Sequence, residues 1–381
     1  MFSIHIFKAM SELRVIISGG GTGGHSFPAI SIANKFKEVN PDNEILFVGA
    51  EGKMEMDKVP AAGYRIIGLP MAGLQRKLTL HNILNDIQVP FKVLSSLRKA
   101  GHIIDEFKPD IAIGVGGYAS APLLWQAERK NIPTLIQEQN GFAGLTNKIL
   151  AKRAGSICVA YDGMERFFPA EKICISGNPI RSEIHLYGQE EKDEGIEFYG
   201  MNPDLRHLLV VGGSLGSGTL NKSMKKWIEN GCPGGEDVQV LWQCGKYYKK
   251  NIDEFMEGRN LPNVRYSDFI ARMDLAYAMS DVVISRSGAS SISEICAAGK
   301  AAIFVPSPNV AEDHQTHNAM ALVNKNAALM VPDNQAELTL LDTAMGLIHD
   351  TQRISTIEDN VKPLAKPNAA QTIIDQAYKL I

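Results

Sequence analysis

The glycine-rich segment Gly19-Gly20-Gly21-Thr22-Gly23-Gly24-His25 contains residue types that could bind a phosphate and move a proton. Glycines let the backbone approach an oxyanion closely, and a following helix N-terminus offers free N–H groups and a positive dipole end. His25 comes directly after the last glycine, and an unperturbed histidine pKa of about 6.5 suits proton removal at neutral pH. One interpretation is therefore a phosphate-binding turn beside a general base. The alternative is a histidine that only caps the helix or packs under the loop.

The elements around this segment indicate a parallel α/β sheet. An apolar run at Leu13–Ile17 precedes it, and a helical pattern at Pro28–Val39 follows it. Short β-branched runs then alternate with helical stretches such as Ile83–Phe107, which favours helices on both faces of the sheet. The predicted strands of this half are Arg14–Ile17, Ile45–Val48, Arg65–Ile67, Ile111–Val115, Thr134–Gln137 and Ser156–Ala160.

The same pattern restarts in the second half of the chain. Leu208–Val211 leads into the glycine-rich segment Gly212–Gly218 and a helix near Thr219, and the charged segment Leu186–Pro203 before it is predicted to be an exposed connection. A length of 381 residues also favours two domains. Further strands are predicted at Val238–Trp242, Val264–Tyr266, Val282–Ile284, Ala302–Val305 and Ala328–Met330.

We therefore expect an α/β protein with two Rossmann-like domains whose parallel sheets face each other across a cleft. Residues 1–12 would be a flexible extension. Residues 13–180 would form the first domain, completed by a C-terminal helix at 364–381, and residues 181–363 the second.

Four strand-end loops are rich in glycine or small residues, at positions 19–25, 116–120, 212–218 and 285–294. Open α/β sheets bind ligands at the carboxyl ends of their strands, so these loops could converge on one site. The first loop also fits the pattern GxGxxG, and Glu51 follows the second strand where a ribose contact would be expected. A dinucleotide site is thus an alternative.

Three polar groups have two interpretations each. Gln137–Asn140 is either an exposed loop or a set of sugar contacts. Glu294 either complements a helix dipole or holds a ribose diol. Asp313–Thr316 and Asn318 are either a polar helix start or further sugar contacts.

The stretch Met71–Lys99 combines many apolar residues with five basic residues and one acid, Asp86. It is either an amphipathic helix that covers the sheet or an apolar patch with a basic rim that rests on an anionic membrane. The basic residues are Arg76, Lys77, Lys92, Arg98 and Lys99.

Composition narrows the class of protein further. A net charge of −3 does not favour nucleic-acid binding, and no long apolar run suggests a transmembrane helix or a signal peptide. Five scattered cysteines without a CxxC motif favour reduced core residues in a cytoplasmic protein. No Asp-x-Asp motif or clustered metal-ligand spacing is present, so we expect neither a protein-held metal nor another cofactor.

These motifs together resemble those of the MurG family, the transferases that add GlcNAc from UDP-GlcNAc to a MurNAc-pentapeptide carried on undecaprenyl diphosphate. The resemblance runs from about Leu13 to the C-terminus. The motifs occur in the family's order: Gly20–His25, Gly116-Gly117-Tyr118, Glu138-Gln139-Asn140, Gly144–Lys148, Gly177-Asn178-Pro179-Ile180-Arg181, Ser285–Ala289 and Gln315.

The resemblance implies the GT-B fold, with UDP-GlcNAc as a co-substrate on the second domain. Ile270 would meet the uracil through its backbone, Glu294 the ribose and Ser214 the phosphates. Asn140 and Gln315 would contact the GlcNAc sugar. The remaining donor contacts implied are Arg181 near the diphosphate, Ala289, Ser290, Ser291, Ile292 and Ser293 along it, and Thr22, Gly23 and Gly24 over the sugar.

The resemblance also implies that the first domain takes the lipid-linked acceptor. His25 would be the general base, and the acceptor diphosphate would lie on Gly20, Gly21, Gly116, Gly117 and Tyr118. The protein would be a peripheral enzyme on the cytoplasmic face of the inner membrane, acting in cell-wall synthesis, cell shape and cell division with other cell-wall synthesis proteins as partners.

Two segments depart from the family pattern. Leu215 and Ser217 stand where the family usually has Gln and Ala, and residues 289–293 read Ala-Ser-Ser-Ile-Ser instead of Ala-Leu-Thr-Val-Ser. Both keep small residues where backbone would approach phosphate. The alternatives to this function are another GT-B enzyme for UDP-sugars, such as a glycolipid glycosyltransferase or a UDP-GlcNAc epimerase, and a non-catalytic nucleotide-binding module on the membrane.

Overall fold

The computed structural model describes residues 12–20, 23–71, 89–213 and 215–381. The expectations for the N-terminal extension up to residue 11, for Gly21, Thr22 and Ser214, and for residues 72–88 of the basic apolar stretch lie outside these ranges. The chain forms two compact units. The first comprises Met1–Gln139, Ala143–Ile180 and Asn368–Ile381, and the second comprises Asn140–Phe142 and Arg181–Pro367.

The first unit is built on a seven-stranded, all-parallel sheet in the order β3-β2-β1-β4-β5-β6-β7. The order reverses between β1 and β4, so the sheet has a topological switch point there, where doubly wound sheets bind ligands. Its strands are β1 (Arg14–Ser18), β2 (Glu44–Ala50), β3 (Arg65–Leu69), β4 (Ile111–Gly114), β5 (Thr134–Glu138), β6 (Ser156–Val159) and β7 (Ile173–Ile175).

Helices cover both faces of this sheet, which explains why the central strands are continuous apolar runs. Ile16 and Ile17 of β1 are fully buried and belong to the apolar clusters on opposite faces of the sheet. The helices are α1 (Gly23–Val39), α2 (Glu55–Ala61), α3 (Val89–Phe107), α4 (Ser120–Arg129), α5 (Leu145–Leu150) and, at the C-terminus, α14 (Ala369–Tyr378).

The second unit is built on a six-stranded parallel sheet in the order β10-β9-β8-β11-β12-β13, with its switch point between β8 and β11. Its strands are β8 (Arg206–Val211), β9 (Val238–Gln243), β10 (Val264–Ser267), β11 (Val282–Ser285), β12 (Ala301–Phe304) and β13 (Leu329–Met330). The prediction of two Rossmann-like domains with parallel sheets is therefore confirmed.

Eight helices lie within the described part of the second unit. They are α6 (Gln189–Phe198), α7 (Gly218–Glu229), α8 (Lys249–Met256), α9 (Met273–Met279), α10 (Ala289–Ala298), α11 (His314–Val323), α12 (Asp333–Ile348) and α13 (Thr351–Val361).

The expectation that Leu186–Pro203 is an exposed connection is wrong, because α6 lies inside it. The helix starts where the Gly188 N–H donates to Glu191 Oε2 at 2.8 Å, and acids in a first turn complement the helix dipole. Its acidic residues Glu190, Asp193, Glu194 and Glu197 are exposed, while Ile196 is buried. Gly195 lets α6 approach α9 closely, since a Cβ there would lie 2.5 Å from the Leu275 carbonyl oxygen.

Among the described residues, no helix is both long enough and apolar enough to cross a membrane.

Candidate functional site

Two glycine loops of the first unit pack against each other at the carboxyl ends of β1 and β4. The Ser120 hydroxyl donates to the carbonyl oxygens of Ser18 and Gly116, both at 2.9 Å. Gly117 has a φ of +88°, and a Cβ on it would lie 2.4 Å from the Gly20 carbonyl oxygen. Both the backbone conformation and the close approach therefore require glycine at position 117. The structure brings together Gly20, Gly116 and Gly117, which were predicted to share a ligand.

His25 lies in the first turn of α1, against this pair of loops. Gly116 has a φ of +91°, and a Cβ there would lie 2.9 Å from Nε2 of His25. The imidazole is thus in contact with the backbone of the second glycine loop and is partly exposed. Tyr118, the neighbouring predicted contact, exposes 57% of its surface. A general base would stand at the edge of a backbone surface suited to an anion.

Glu55 is a buried residue of this region that the sequence interpretation missed. Its side chain is 0% exposed, and Oε1 accepts a hydrogen bond from the Ala50 N–H at 3.0 Å. A Cβ on Gly20 would lie 2.0 Å from Oε1, and a Cβ on Gly49 would lie 2.6 Å from Cγ of Glu55. The two glycines make room for a carboxylate that supports the first loop. Sequence position alone does not distinguish Glu55 from the exposed acid Asp57, two residues further along the same helix start.

The polar group at the end of β5 is a buried network, so the interpretation as an exposed loop is wrong for Gln137–Gln139. Gln137 Nε2 donates to Asn178 Oδ1 at 2.9 Å, and Asn178 Nδ2 donates to the Gln139 carbonyl oxygen at 3.0 Å. Glu138 Oε2 accepts from the Gly144 N–H at 3.0 Å and from Asn147 Nδ2 at 2.9 Å. Gln139 Nε2 donates to the Val115 carbonyl oxygen at 2.7 Å. These side chains join β5 to the neighbouring loops of the first unit.

Asn140–Phe142 belong to the second unit. Asn318 Oδ1 accepts from the Gly141 N–H at 2.8 Å, and Asn318 Nδ2 donates to Asn140 Oδ1 at 3.1 Å and to the Ser287 carbonyl oxygen at 3.3 Å. The Phe142 and His317 rings stack with centroids 5.4 Å apart. Asn318, which is 0% exposed, therefore connects the predicted sugar contact Asn140 with the loop after β11.

The switch point of the second unit has the same construction as that of the first. Gly216, with a φ of +86°, lies so close to the loop after β9 that a Cβ would be 2.2 Å from the Cys244 carbonyl oxygen. Gly213, with a φ of +83°, has open space where a Cβ would be. Backbone is thus accessible beside the predicted phosphate contact Ser214, which itself lies outside the described residues.

The N-terminus of α10 provides the other side of this switch point. Gly288 precedes the helix in an extended conformation, and the first backbone N–H groups of any α-helix lack an intrahelical acceptor. Ala289 and Ile292 are buried, whereas Ser290, Ser291 and Ser293 are half-buried. Mostly small side chains surround the amides of this turn, as expected for a diphosphate site.

Glu294 and Arg181 form a bidentate ion pair. Arg181 Nε donates to Oε1 at 2.9 Å, and Nη2 donates to Oε2 at 3.0 Å. The Tyr277 hydroxyl donates to Oε2 at 3.4 Å. Burial raises the pKa of Tyr277, and the Glu294 charge raises it further. The two residues predicted to bind ribose and diphosphate thus bind each other here.

Two further predicted donor contacts also have defined places. Gln315 lies in the first turn of α11, and its Oε1 accepts from the Ser307 N–H at 2.9 Å. Ile270, predicted to act through its backbone, is 3% exposed. In the part of the chain that the structure describes, no three His, Cys, Asp or Glu side chains are grouped to hold a metal ion.

Two parallel-sheet domains, each with a glycine loop and a helix start at its switch point, are the GT-B type of fold. Residues 15–159 match the model of the glycosyltransferase family 28 N-terminal domain, and residues 207–373 match that of its C-terminal domain.

Known proteins resemble this chain over nearly its whole length. A UDP-N-acetylglucosamine–N-acetylmuramyl-(pentapeptide) pyrophosphoryl-undecaprenol N-acetylglucosamine transferase of Parabacteroides distasonis is 54% identical, over 98% of this chain and 99% of that protein. The relative of the same name in Bacteroides thetaiotaomicron is 50% identical, over 97% of this chain and 98% of its own length. The crystal structure of Acinetobacter baumannii MurG aligns with a TM-score of 0.76 and 26% identity, covering 96% of this chain and 99% of that one.

The chain belongs to the MurG family of glycosyltransferases, within family 28. The predicted family and class of enzyme are confirmed. Membership of this family argues against the alternative that the first glycine loop is the dinucleotide site of a dehydrogenase. Glu51, the acid that this alternative assigned to a ribose contact, forms an ion pair with Lys99 at 2.9 Å.

Proposed function

We propose that this chain transfers GlcNAc from UDP-GlcNAc to the 4-hydroxyl of MurNAc in undecaprenyl-diphospho-MurNAc-pentapeptide, converting lipid I into lipid II in peptidoglycan synthesis. The observation that carries this proposal is the 54% identity, over 98% of the chain, to a transferase whose name describes this sugar and this acceptor. The glycine loops at both switch points support it, because donor and acceptor each carry a diphosphate.

The donor would bind to the second unit. The amides at the start of α10 and the backbone near Gly213 suit its diphosphate, and Asn140 and Gln315 lie on segments of the same unit. Glu294 would hold the ribose hydroxyls once Arg181 exchanges that carboxylate for the negatively charged diphosphate. An arginine fits this role because its fork of N–H donors pairs with carboxylate and phosphate alike.

The acceptor would bind to the first unit, with its diphosphate on the backbone of Gly20, Gly116 and Gly117. His25 would remove the proton of the 4-hydroxyl as its oxygen bonds to the anomeric carbon of GlcNAc. The bond from that carbon to the UDP oxygen breaks, so UDP leaves and the anomeric configuration inverts. Loop N–H groups, the α10 dipole and Arg181 would stabilise the charge on UDP, with no protein-held metal or other cofactor.

Replacing His25 tests the assignment of the base. Positioned general bases contribute roughly 10²–10⁴-fold to rate, so turnover of His25→Ala with UDP-GlcNAc and a lipid I analogue should fall by about that factor. His102→Ala, which alters an exposed histidine of α3, is the matched control and should retain normal turnover. UDP should still raise the melting temperature of His25→Ala, because the donor site lies on the other unit. Near-normal turnover of His25→Ala would contradict the assignment.

We also propose that the enzyme works on the cytoplasmic face of the inner membrane, where a polyprenyl-linked acceptor resides. The described part of the basic apolar stretch supports this. Val93 and Leu94 of α3 are 41% and 47% exposed, and Arg98 is exposed on the same helix. Exposed apolar residues beside basic ones suit an anionic surface.

Flotation with vesicles that contain anionic phospholipid tests the membrane proposal. Neutralising Arg76, Lys77, Arg98 and Lys99 to glutamine should shift the protein from the floating to the soluble fraction, because each basic residue near the surface contributes about 1 kcal/mol. Neutralising Lys222 and Lys250, exposed lysines of the second unit, should change little. Equal flotation of both variants and the wild type would indicate that the stretch only covers the sheet.

A further inference from the structure

Cys158 and Cys174 lie directly opposite each other on two neighbouring strands. They are register partners in the parallel pair β6 and β7. Paired strands lie about 4.8 Å apart, which is within the range of Cα separations, roughly 4.4–6.8 Å, that disulfides span. In-register partners point to the same face of a sheet. Backbone geometry therefore already places these two thiols side by side.

Both thiols lie in the core layer that α14 covers. Cys158 is 0% exposed and packs in one cluster with Ile373, Ile374 and Ala377, and Cys174 packs against that cluster. Cys174 is only partly buried, on the edge strand of the sheet. A small solute can therefore reach Cys174 more readily than Cys158.

The two thiols also differ chemically. A hydrogen bond from the Cys158 thiol lowers the pKa of Cys174, and the nearby Lys379 charge also lowers it, whereas burial opposes both effects. The same contact, together with burial, raises the pKa of Cys158 well above its usual value. These shifts favour the thiolate, the nucleophilic form, at the more accessible Cys174 and the thiol at the buried Cys158.

We propose that Cys158 and Cys174 are an oxidation site, which hydrogen peroxide converts into an intramolecular disulfide. The Cys174 thiolate attacks a peroxide oxygen, so an S–O bond forms, the O–O bond breaks, and the hydroxide released takes a proton to become water. The Cys158 sulfur then attacks the Cys174 sulfenic acid. The S–S bond forms, the S–O bond breaks, and the Cys158 proton leaves with that hydroxyl as a second water.

The other three cysteines, Cys232, Cys244 and Cys296, should be less reactive than Cys174. All three are buried in the second unit, and burial raises the pKa of each thiol, to about 11 for Cys244 and about 12 for Cys296. Buried thiols of high pKa react slowly with peroxide. Oxidation of the folded protein should therefore begin at Cys174.

Peptide mapping of the folded, full-length protein tests the proposal. Reduced protein is treated with hydrogen peroxide, remaining thiols are alkylated, and the protein is digested with trypsin without reduction. Cleavage after Arg153, Arg166, Lys172 and Arg181 puts Cys158 in peptide 154–166 and Cys174 in peptide 173–181. The wild type and Cys296→Ser should both yield these peptides joined, with a mass lower by two hydrogen atoms than their sum.

Single variants test the order of the steps. In Cys158→Ser, a dimedone-type probe should label Cys174, because the sulfenic acid has lost its partner. Cys174→Ser should yield neither a joined peptide nor labelling at Cys158. Three results for the wild type would overturn the proposal: both thiols alkylated after peroxide, Cys174 oxidised to sulfinic acid with Cys158 still a thiol, or a disulfide between two chains. The wild-type map remains decisive if a variant fails to fold.

Discussion

At the scale of single residues, the ion pair of Arg181 and Glu294 would determine how the proposed donor binds. Glu294 exposes only 13% of its side chain and has Arg181 on both oxygens, with Tyr277 on one of them. A ribose diol needs the same oxygens. In the proposed function, binding of UDP-GlcNAc would therefore move the guanidinium or share the carboxylate with it, and the diphosphate would offer Arg181 a replacement partner.

Replacing Arg181 should separate uridine binding from UDP binding. In Arg181→Ala, uridine should bind as well as or better than in the wild type, because Glu294 loses its competing partner. UDP should bind about tenfold or more weakly, since a hydrogen bond to a charged group contributes roughly 1.5–3 kcal/mol. Calorimetric titration with both ligands measures the difference. Arg272→Ala, which removes an exposed arginine paired with Asp274, is the control. An equal loss of affinity for uridine and UDP in Arg181→Ala would contradict the proposal that Arg181 exchanges Glu294 for the diphosphate.

Residue types alone indicated part of the site and missed another part. The glycines at positions 20, 116 and 117 could be predicted because close backbone approaches favour that residue. Glu55 could not, because its burial depends on space left by Gly20, in the loop after β1, and by Gly49, in β2. The pairing of Arg181 with Glu294 joins residues 113 positions apart.

At the scale of elements, patterns that repeat within a strand or turn were predictable, and features that depend on packing were not. Buried strands such as β1 and β8 are continuous apolar runs, which the sequence displays directly. The first helical pattern was predicted over Pro28–Val39, whereas the helix begins at Gly23 and has Pro28 inside it. Helix α6 was missed because most of its residues are charged and only Gly195 and Ile196 are buried. Strand β7 was missed because three residues are too few to show a periodic pattern.

The start of β8 should make the second unit sensitive to mild acid. His207 is 1% exposed, its Nε2 lies 3.1 Å from the Asn202 carbonyl oxygen, and its buried Nδ1 has no hydrogen-bond partner in the structure. Burial lowers the pKa of His207 below its usual 6.5. As the pH falls, His207 therefore takes up a proton in the unfolded chain before it does so in the folded one. The free energy of unfolding should therefore fall as the pH drops below about 6.5.

Urea unfolding of the wild type and His207→Gln at pH 7 and pH 5.5 measures this effect. The wild type should lose more stability between the two pH values than the variant does. His349→Gln is a control of opposite sign. The hydrogen bond to Asp237 raises the pKa of that exposed histidine. The stabilising effect of His349 is therefore present at low pH and is lost as the pH rises. A pH dependence unchanged in His207→Gln would assign the acid sensitivity to other groups.

At the scale of the whole molecule, the proposed reaction draws its groups from both units. His25 and the glycine loops that would bind the acceptor belong to the first, and Arg181, Glu294 and the α10 turn that would bind the donor belong to the second. The restart of the strand–glycine–helix pattern at Leu208 made this division predictable. The membership of Asn140–Phe142 in the second unit was not, because it depends on Asn318, 177 positions from Gly141.

The measurement that tests the central claim most directly is UDP release by the purified wild type with and without a lipid I analogue. We expect UDP release from UDP-GlcNAc to depend on the acceptor, with one GlcNAc added to the 4-hydroxyl of MurNAc for each UDP formed. An epimerase would change UDP-GlcNAc without any acceptor, and a nucleotide-binding module would bind UDP without releasing it from UDP-GlcNAc in the presence of acceptor. Either of those outcomes, or transfer only to a different glycolipid, would contradict the proposed function.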